Sequence, residues 1–478
     1  MASSLLVNIS REVGLTAFMR TPVDVKVLAL QRLIRLAAYG ASTLVLVLYL
    51  TELGVSISRT GLFMTLTLLG DVAISLVLTM VADKLGRRRL LAYGSLLMAG
   101  SGIVFATMSN FWILLLAAVI GVISPSGNEI GPFKAIEEST IAQLTPSIDR
   151  SSVLAWYTLF GTAGVALGTL ICGWVVNALQ VQHGWAPLLT YRLVYAAYAL
   201  MGISKFLLCL VLSDACEVEQ PEPSETAGNN VPLLEDGEAT PLPEAKTRKA
   251  FGYGLLPSLS AGTRTLIARL GLLFAMDSLA SGLSPATWMI YFFNSKFGLA
   301  EEKLGNLFFI TNILSSVSNL VASSLARRIG LVKTMVFTHA PASIALALIP
   351  IPSNVIVAMA LLIFRSSTSS MDQAPRQAFL AAAVLPSERT SVMGIINVIK
   401  TLSQSVGPVI TGRLAGSGFF WVAFVTAGCL KLLYDVLLLG MFLGYRTVEE
   451  KAQASVVEYD EESESEEEEG TDDRRTVA

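Results

Sequence analysis

A bilayer core is crossed by about 20 apolar helical residues, and twelve apolar runs of that order follow one another along this 478-residue chain, divided by short polar or turn-forming joints. The first lies near 27–51 and the last near 419–444, and the runs near 111–139 and 354–384 each carry a proline inside. With 53% of residues hydrophobic and 15% charged, the chain has far more apolar surface than a soluble core of this size can bury. The expected fold is an all-α membrane protein with twelve transmembrane helices, multi-pass in the lipid bilayer.

The remaining charges are unevenly placed. The net charge is −3, with acids gathered in 216–244 and in the tail EYDEESESEEEEGTDD. Alternate joints on one side hold Lys84, Arg87, Arg88, Arg89, Arg150, Lys246, Arg248, Lys249, Arg327, Arg328, Lys333 and Arg389, against Arg59, Lys296, Lys303 and Arg413 on the other. An excess of bases marks the cytoplasmic side, so both termini and the central linker are expected there. The linker is rich in Pro and Glu and has too little apolar surface to offset chain entropy. The expected organisation is a cytoplasmic N-terminus (1–25), a six-helix bundle (26–212), a disordered cytoplasmic linker (213–262), a second six-helix bundle (263–445) and an acidic disordered tail (446–478).

Several function classes find no support. Nothing in the charge pattern favours a nucleic-acid partner. Cys172, Cys209, Cys216 and Cys429 form no CxxC, and His183 and His339 are the only histidines, so neither a metal nor any other cofactor is expected. No GxxxxGK[ST] phosphate loop and no nucleophile–base constellation occur, so the chain is not expected to be an enzyme.

The two halves echo each other. Gly54, Gly61 and Gly86 each have a glycine 244 residues later, at Gly298, Gly305 and Gly330. GNEIGPFKA (127–135) lies over SMDQAPRQA (370–378) at 243, Gly168 and Gly173 meet Gly407 and Gly412 at 239, and Gly202 and Lys205 meet Gly428 and Lys431 at 226. An ordered series of this kind indicates two six-helix pseudo-repeats.

The joint after the second run, VADKLGRRRLL (81–91), has its own echo in LARRIGLVKTM (325–335). From about 25 to 445 the chain resembles the major facilitator superfamily, whose joint signature runs Gly-x-Leu-Ala-Asp-Arg-x-Gly-Arg-Lys/Arg. Ala82, Asp83, Lys84, Gly86, Arg87 and Arg88 fit it, Thr79 stands at its first glycine, and Arg327 replaces the acid in the second copy. The resemblance implies a gating latch made of Asp83, Gly86, Arg87 and Arg88. Its acid would face the N-terminus of the eleventh helix, and its bases would hold neighbouring helix ends. Two signatures of the superfamily's proton antiporters are missing: Ala117 stands four residues before Gly121 where they have Arg, and the 161–173 glycines lack a Gly-Pro pair.

Ionisable groups inside apolar runs are costly unless paired or hydrated, and so mark function. Arg32 is expected to snorkel, whereas Arg35 and Tyr39 sit deeper, and a pair between Arg35 and Asp277 on the matching seventh run is open. Asp71 lies near mid-membrane, either as a proton carrier or as a carboxylate tied to Thr65 and Ser75. The fourth and tenth runs are broken at matched Pro132 and Pro375, each with an acid three residues earlier, Glu129 and Asp372. Matched breaks of this kind point to a binding site or gate. Arg365 and Lys400 complete the substrate and proton-pathway candidates. Lys431 and Asp435, spaced i, i+4, are expected to form a structural ion pair.

The expected function is a secondary active transporter that moves a small organic solute by alternating access, with protons as the candidate coupling ion. A slight excess of intramembrane bases favours an anionic or zwitterionic solute. The alternatives are a drug or xenobiotic efflux transporter and, from another class, a non-transporting receptor or scaffold acting through the acidic tail, where Ser463 and Ser465 sit among glutamates. A monomer is expected.

Overall fold

The computed structural model of the protein describes residues 15–121, 123, 132–217, 261–384 and 388–443. Glu129, nearly all of the linker and the acidic tail lie outside them, as do the side chains of Asp83, Pro132 and Arg327. Among the described residues there are sixteen α-helices and no strand. The first half runs α1 (Leu15–Arg20), α2 (Val23–Glu52), α3 (Ile57–Leu85), α4 (Arg87–Thr107), α5 (Phe111–Ile120), α6 (Pro132–Leu144), α7 (Arg150–Asn177) and α8 (Pro187–Val211). The second runs α9 (Ala261–Leu283), α10 (Ala286–Phe297), α11 (Glu301–Ile329), α12 (Leu331–Leu348), α13 (Val355–Ser369), α14 (Gln373–Ala383), α15 (Arg389–Gly416) and α16 (Phe420–Phe442).

Twelve crossings in two halves result, because α5 with α6, α9 with α10 and α13 with α14 are each one broken crossing. Ten are long and apolar enough to span a bilayer by length and hydropathy; of the other two, α5 is short, and α15 is diluted by Arg389, Lys400 and Arg413. The fourth and tenth crossings start alike. Asn110 accepts from the Trp112 N–H at 2.9 Å, and Asn354 from the Ile356 N–H at 2.8 Å, each capping a helix start. They also restart alike. Pro132 is the first residue of α6, and Pro375 lies in the first turn of α14, where a missing N–H costs no intrahelical bond.

The matched glycines are matched in space. Gly86 and Gly330, at the α3–α4 and α11–α12 joints, have φ of +85° and +91°, a conformation that side chains disfavour. Gly61 of α3 lies against Gly412 of α15, and Gly305 of α11 against Gly173 of α7. A Cβ on Gly61 would meet the Pro408 carbonyl oxygen at 2.5 Å, and one on Gly173 the Glu301 carbonyl oxygen at 2.4 Å. Small residues let helices in lipid approach closely, and here they join the two halves.

That junction lies at one end of the bundle. The joints holding Gly86 and Gly330 define a basic face, with Arg87, Arg88, Arg89, Arg328 and Lys333; the starts of α3 and α11 define the opposite face. Ser58 donates to the Gly412 carbonyl at 3.3 Å, Asn177 to Glu302 at 2.8 Å, Trp174 to Asn306 at 2.9 Å and Tyr191 to Glu301 at 2.7 Å, all bridging the halves toward the opposite face. The apolar core divides accordingly. One buried cluster near the opposite face takes residues from both halves, including Tyr49, Phe105, Phe292 and Phe424. Toward the basic face each half keeps its own, around Val25, Leu91 and Tyr157 in the first and Phe274, Phe379 and Tyr434 in the second.

Candidate functional site

A cavity of about 420 Å³ lies in the second half, lined from α9 to α16. Asp277, Arg365, Asp372, Arg376, Lys400 and Lys431 bring charge to its wall, among many serines and side-chain amides. The breaks create the space: α9 ends at Leu283 before Pro285, and α13 ends at Ser369 before Asp372 starts α14.

One network organises this wall. Asp277, 4% exposed, accepts from Lys431 Nζ at 2.6 Å and Arg376 Nη1 at 2.8 Å. Arg376 also bonds Asp372, one turn earlier on the same helix, and Lys431 donates to Ser281 at 2.8 Å. His339 stands between two acids, its Nδ1 2.9 Å from Asp435 and its Nε2 3.7 Å from Asp277. Lys431 and Asp435 therefore do not form the ion pair their spacing suggests. Both lie on the buried face of α16, and each side chain reaches across it to a neighbouring helix, Lys431 to Asp277 on α9 and Asp435 to His339 on α12, where a buried carboxylate and a buried imidazole each need a partner.

The first half builds a different cluster. Arg35 makes a bidentate pair with Glu137, at 2.6 and 2.8 Å, Tyr157 donates to the same carboxylate, and Lys205 lies 3.8 Å away. Arg35 and Asp277 thus each find a partner within their own half, and no pair joins them. Tyr39, one turn beyond Arg35 on α2, is buried as well. Asp71 is 1% exposed, and neither carboxylate oxygen has a hydrogen-bond partner. Thr65 is engaged elsewhere, accepting from the Val409 N–H at 3.1 Å.

Arg365 and Lys400 are the exceptions on the cavity wall. Among the described residues no acid lies within ion-pair distance of either side chain, and neither takes part in a side-chain hydrogen bond.

A family model described as Major Facilitator Superfamily matches residues 28–292 and 270–468. The chain belongs to this superfamily. Membership makes it a multi-pass membrane transporter rather than an enzyme. It is 38% identical over 435 residues to the uncharacterized membrane protein YJR124C of Saccharomyces cerevisiae, covering 88% of this chain and 94% of the relative. A partial match, 28% identical and covering 38% of this chain and 42% of the relative, is to the quinolone resistance protein NorA of Staphylococcus aureus. Among solved structures, the nucleoside transporter NupG superposes with a TM-score of 0.63 at 13% identity, over 88% of this chain and 99% of that one.

The superfamily's charged joint is occupied in a way the sequence did not suggest. Glu217, just beyond α8, places its carboxylate on the N-terminus of α4, accepting from the Arg87 N–H at 2.7 Å and the Arg88 N–H at 3.2 Å. The Arg87 side chain donates to Gln143 at 2.8 Å, and Arg88 pairs with Asp214. These two bases thus tie the end of α6 and the segment after α8 to the joint. The latch expected of Asp83 lies outside the described side chains.

Sequence reasoning missed Glu137 and His339. Glu137 looks like one of several surface charges in FKAIEEST, yet Arg35 and Lys205, two bases buried in one half, signal an acid between them.

Proposed function

We propose that the chain is a secondary transporter that moves a small, hydrophilic organic solute by alternating access, with bundles 26–212 and 263–445 as the moving bodies. The single observation carrying this is the division of the core: shared near the opposite face and separate toward the basic face, with a polar cavity in the second half. With the basic face cytoplasmic, this is an inward-facing arrangement. Alternating access then requires the contacts at Gly61–Gly412 and Gly173–Gly305 to part in the other state. The partial match to a quinolone resistance protein raises drug efflux as a second reading, but a wall of ion pairs, serines and amides suits a charged, hydrophilic solute better than a lipophilic drug.

Asp71 is the proton site that fits this reading. A buried carboxylate without a hydrogen-bond partner must take a proton or meet a cation. The test of alternating access is steric. Gly61→Leu and Gly173→Leu should hold the opposite face open, so that a cysteine placed in the cavity by Ser366→Cys reacts with an impermeant thiol reagent from that face. Unchanged reactivity from the basic face alone in both variants would exclude the mechanism.

A further inference from the structure

We propose that the solute is a small organic dianion, held by Arg365 and Lys400. This rests on the cavity being the transport site. Among the charges lining the cavity, Arg376 and Lys431 are matched by Asp372 and Asp277, with which they pair directly. Asp435 is 1% exposed, does not line the cavity and faces His339. Two cationic side chains remain, Arg365 on α13 and Lys400 on α15, on different helices and both on the cavity wall.

An unpaired cation at mid-membrane depth destabilises the empty protein, so its presence is best explained by a ligand that supplies the missing charge. The guanidinium of Arg365 can grip a carboxylate or phosphate through two parallel hydrogen bonds, and Lys400 acts as a compact second charge. On the wall of the same cavity, Asn312, Gln373 and Gln404 offer donors and acceptors for hydroxyl or carbonyl groups on the solute's body. A cavity of about 420 Å³ limits that body to a small metabolite-sized molecule. The shared chemistry is two anionic charges on a short hydrophilic frame, which a dicarboxylate or a phosphate monoester provides.

The experiment uses the purified full chain, titrated with succinate and with glycerol 3-phosphate, each beside a matched monoanion and a neutral amide or alcohol analogue. Melting temperature and affinity are read together in wild type, Arg365→Gln and Lys400→Gln. At least one dianion should raise the melting temperature more than its matched analogues. Each variant should weaken that dianion about tenfold or more, the scale of one lost charge-assisted contact. Because neither cation has an ion-pair partner among the described residues, the ligand-free variants should melt no lower than wild type, which separates a binding role from a structural one; Arg365→Lys should keep part of the affinity. Succinate and glycerol 3-phosphate respond separately, so their ranking identifies the anionic group. The proposal is overturned if neither dianion stabilises wild type beyond its analogues, or if both neutral variants bind it unchanged. Dianion binding in a protein whose cavity cysteine never changes its face of access would sink alternating access and leave the dianion assignment intact. Exchange of a neutral solute, unaffected by both variants, would do the reverse.

Discussion

The two halves use matched positions to opposite ends. Lys205 and Lys431 stand at equivalent places on the last crossing of each half and approach a buried carboxylate, Glu137 at 3.8 Å and Asp277 at 2.6 Å. Around them the signs are exchanged. In the first half the first crossing supplies a base, Arg35, and the fourth an acid, Glu137; in the second the first supplies an acid, Asp277, and the fourth a base, Arg376. The first cluster is sealed, with Glu137 fully buried under a bidentate pair and a tyrosine hydroxyl. The second faces a cavity and leaves Arg365 and Lys400 over. The repeat therefore preserves a frame for buried charge, which one copy encloses and the other leaves on a cavity wall.

This contrast fails first at Glu137. Glu137→Gln leaves Arg35 and Lys205, each 2% exposed, facing a neutral amide. Breaking one side of a buried ion cluster costs about 3–5 kcal/mol, so the melting temperature in detergent should drop steeply and yield should fall with it. A melting temperature like wild type would mean that the first-half cluster is not a clasp.

The second-half counterpart should matter less for folding. Asp277→Asn leaves Arg376 bonded to Asp372 and Lys431 bonded to Ser281, so about 1–3 kcal/mol of loss is expected, on the scale of weakened hydrogen bonds to a charged group. Solute affinity, by contrast, should change markedly, because the freed bases face the cavity. If Asp277→Asn proves as destabilising as Glu137→Gln and leaves affinity alone, the two halves are equivalent clasps.

Asp71→Asn is expected to have the smallest effect on stability. Neither oxygen of Asp71 is hydrogen bonded, so the melting temperature should stay level or rise. The pH dependence of exchange should flatten, because the amide cannot carry a proton. An unaltered pH profile would remove Asp71 from the proton pathway.

Much of this frame is legible in the sequence. The apolar rhythm gives the twelve crossings because lipid leaves few alternatives to a helix. The offset glycines mark real contacts because only small residues tolerate the approach of Gly61 to Gly412 and of Gly173 to Gly305. Charge pairing is less legible. Spacing along α16 favours Lys431 with Asp435, but the partners across the bundle, Asp277 and His339, cannot be seen in one helix. Arg365 and Lys400 stand out as intramembrane bases from sequence alone; that they are the ones left unpaired depends on where Arg376 and Lys431 point.

The most direct test locks the contact between the halves. A Cβ on Gly416 would lie 3.7 Å from the Ser58 Cβ, within the range a disulfide spans, so Ser58→Cys with Gly416→Cys should form a bridge across the opposite face. Cys172, Cys209 and Cys216 are buried, and burial pushes the Cys216 thiol up to about 12, so Cys429 is the exposed native thiol to replace. In oriented proteoliposomes, Ser366→Cys should then be labelled by an impermeant reagent only from the basic face while the bridge is intact, and from both faces once it is reduced. Labelling from the opposite face with the bridge intact would contradict alternating access between these two halves.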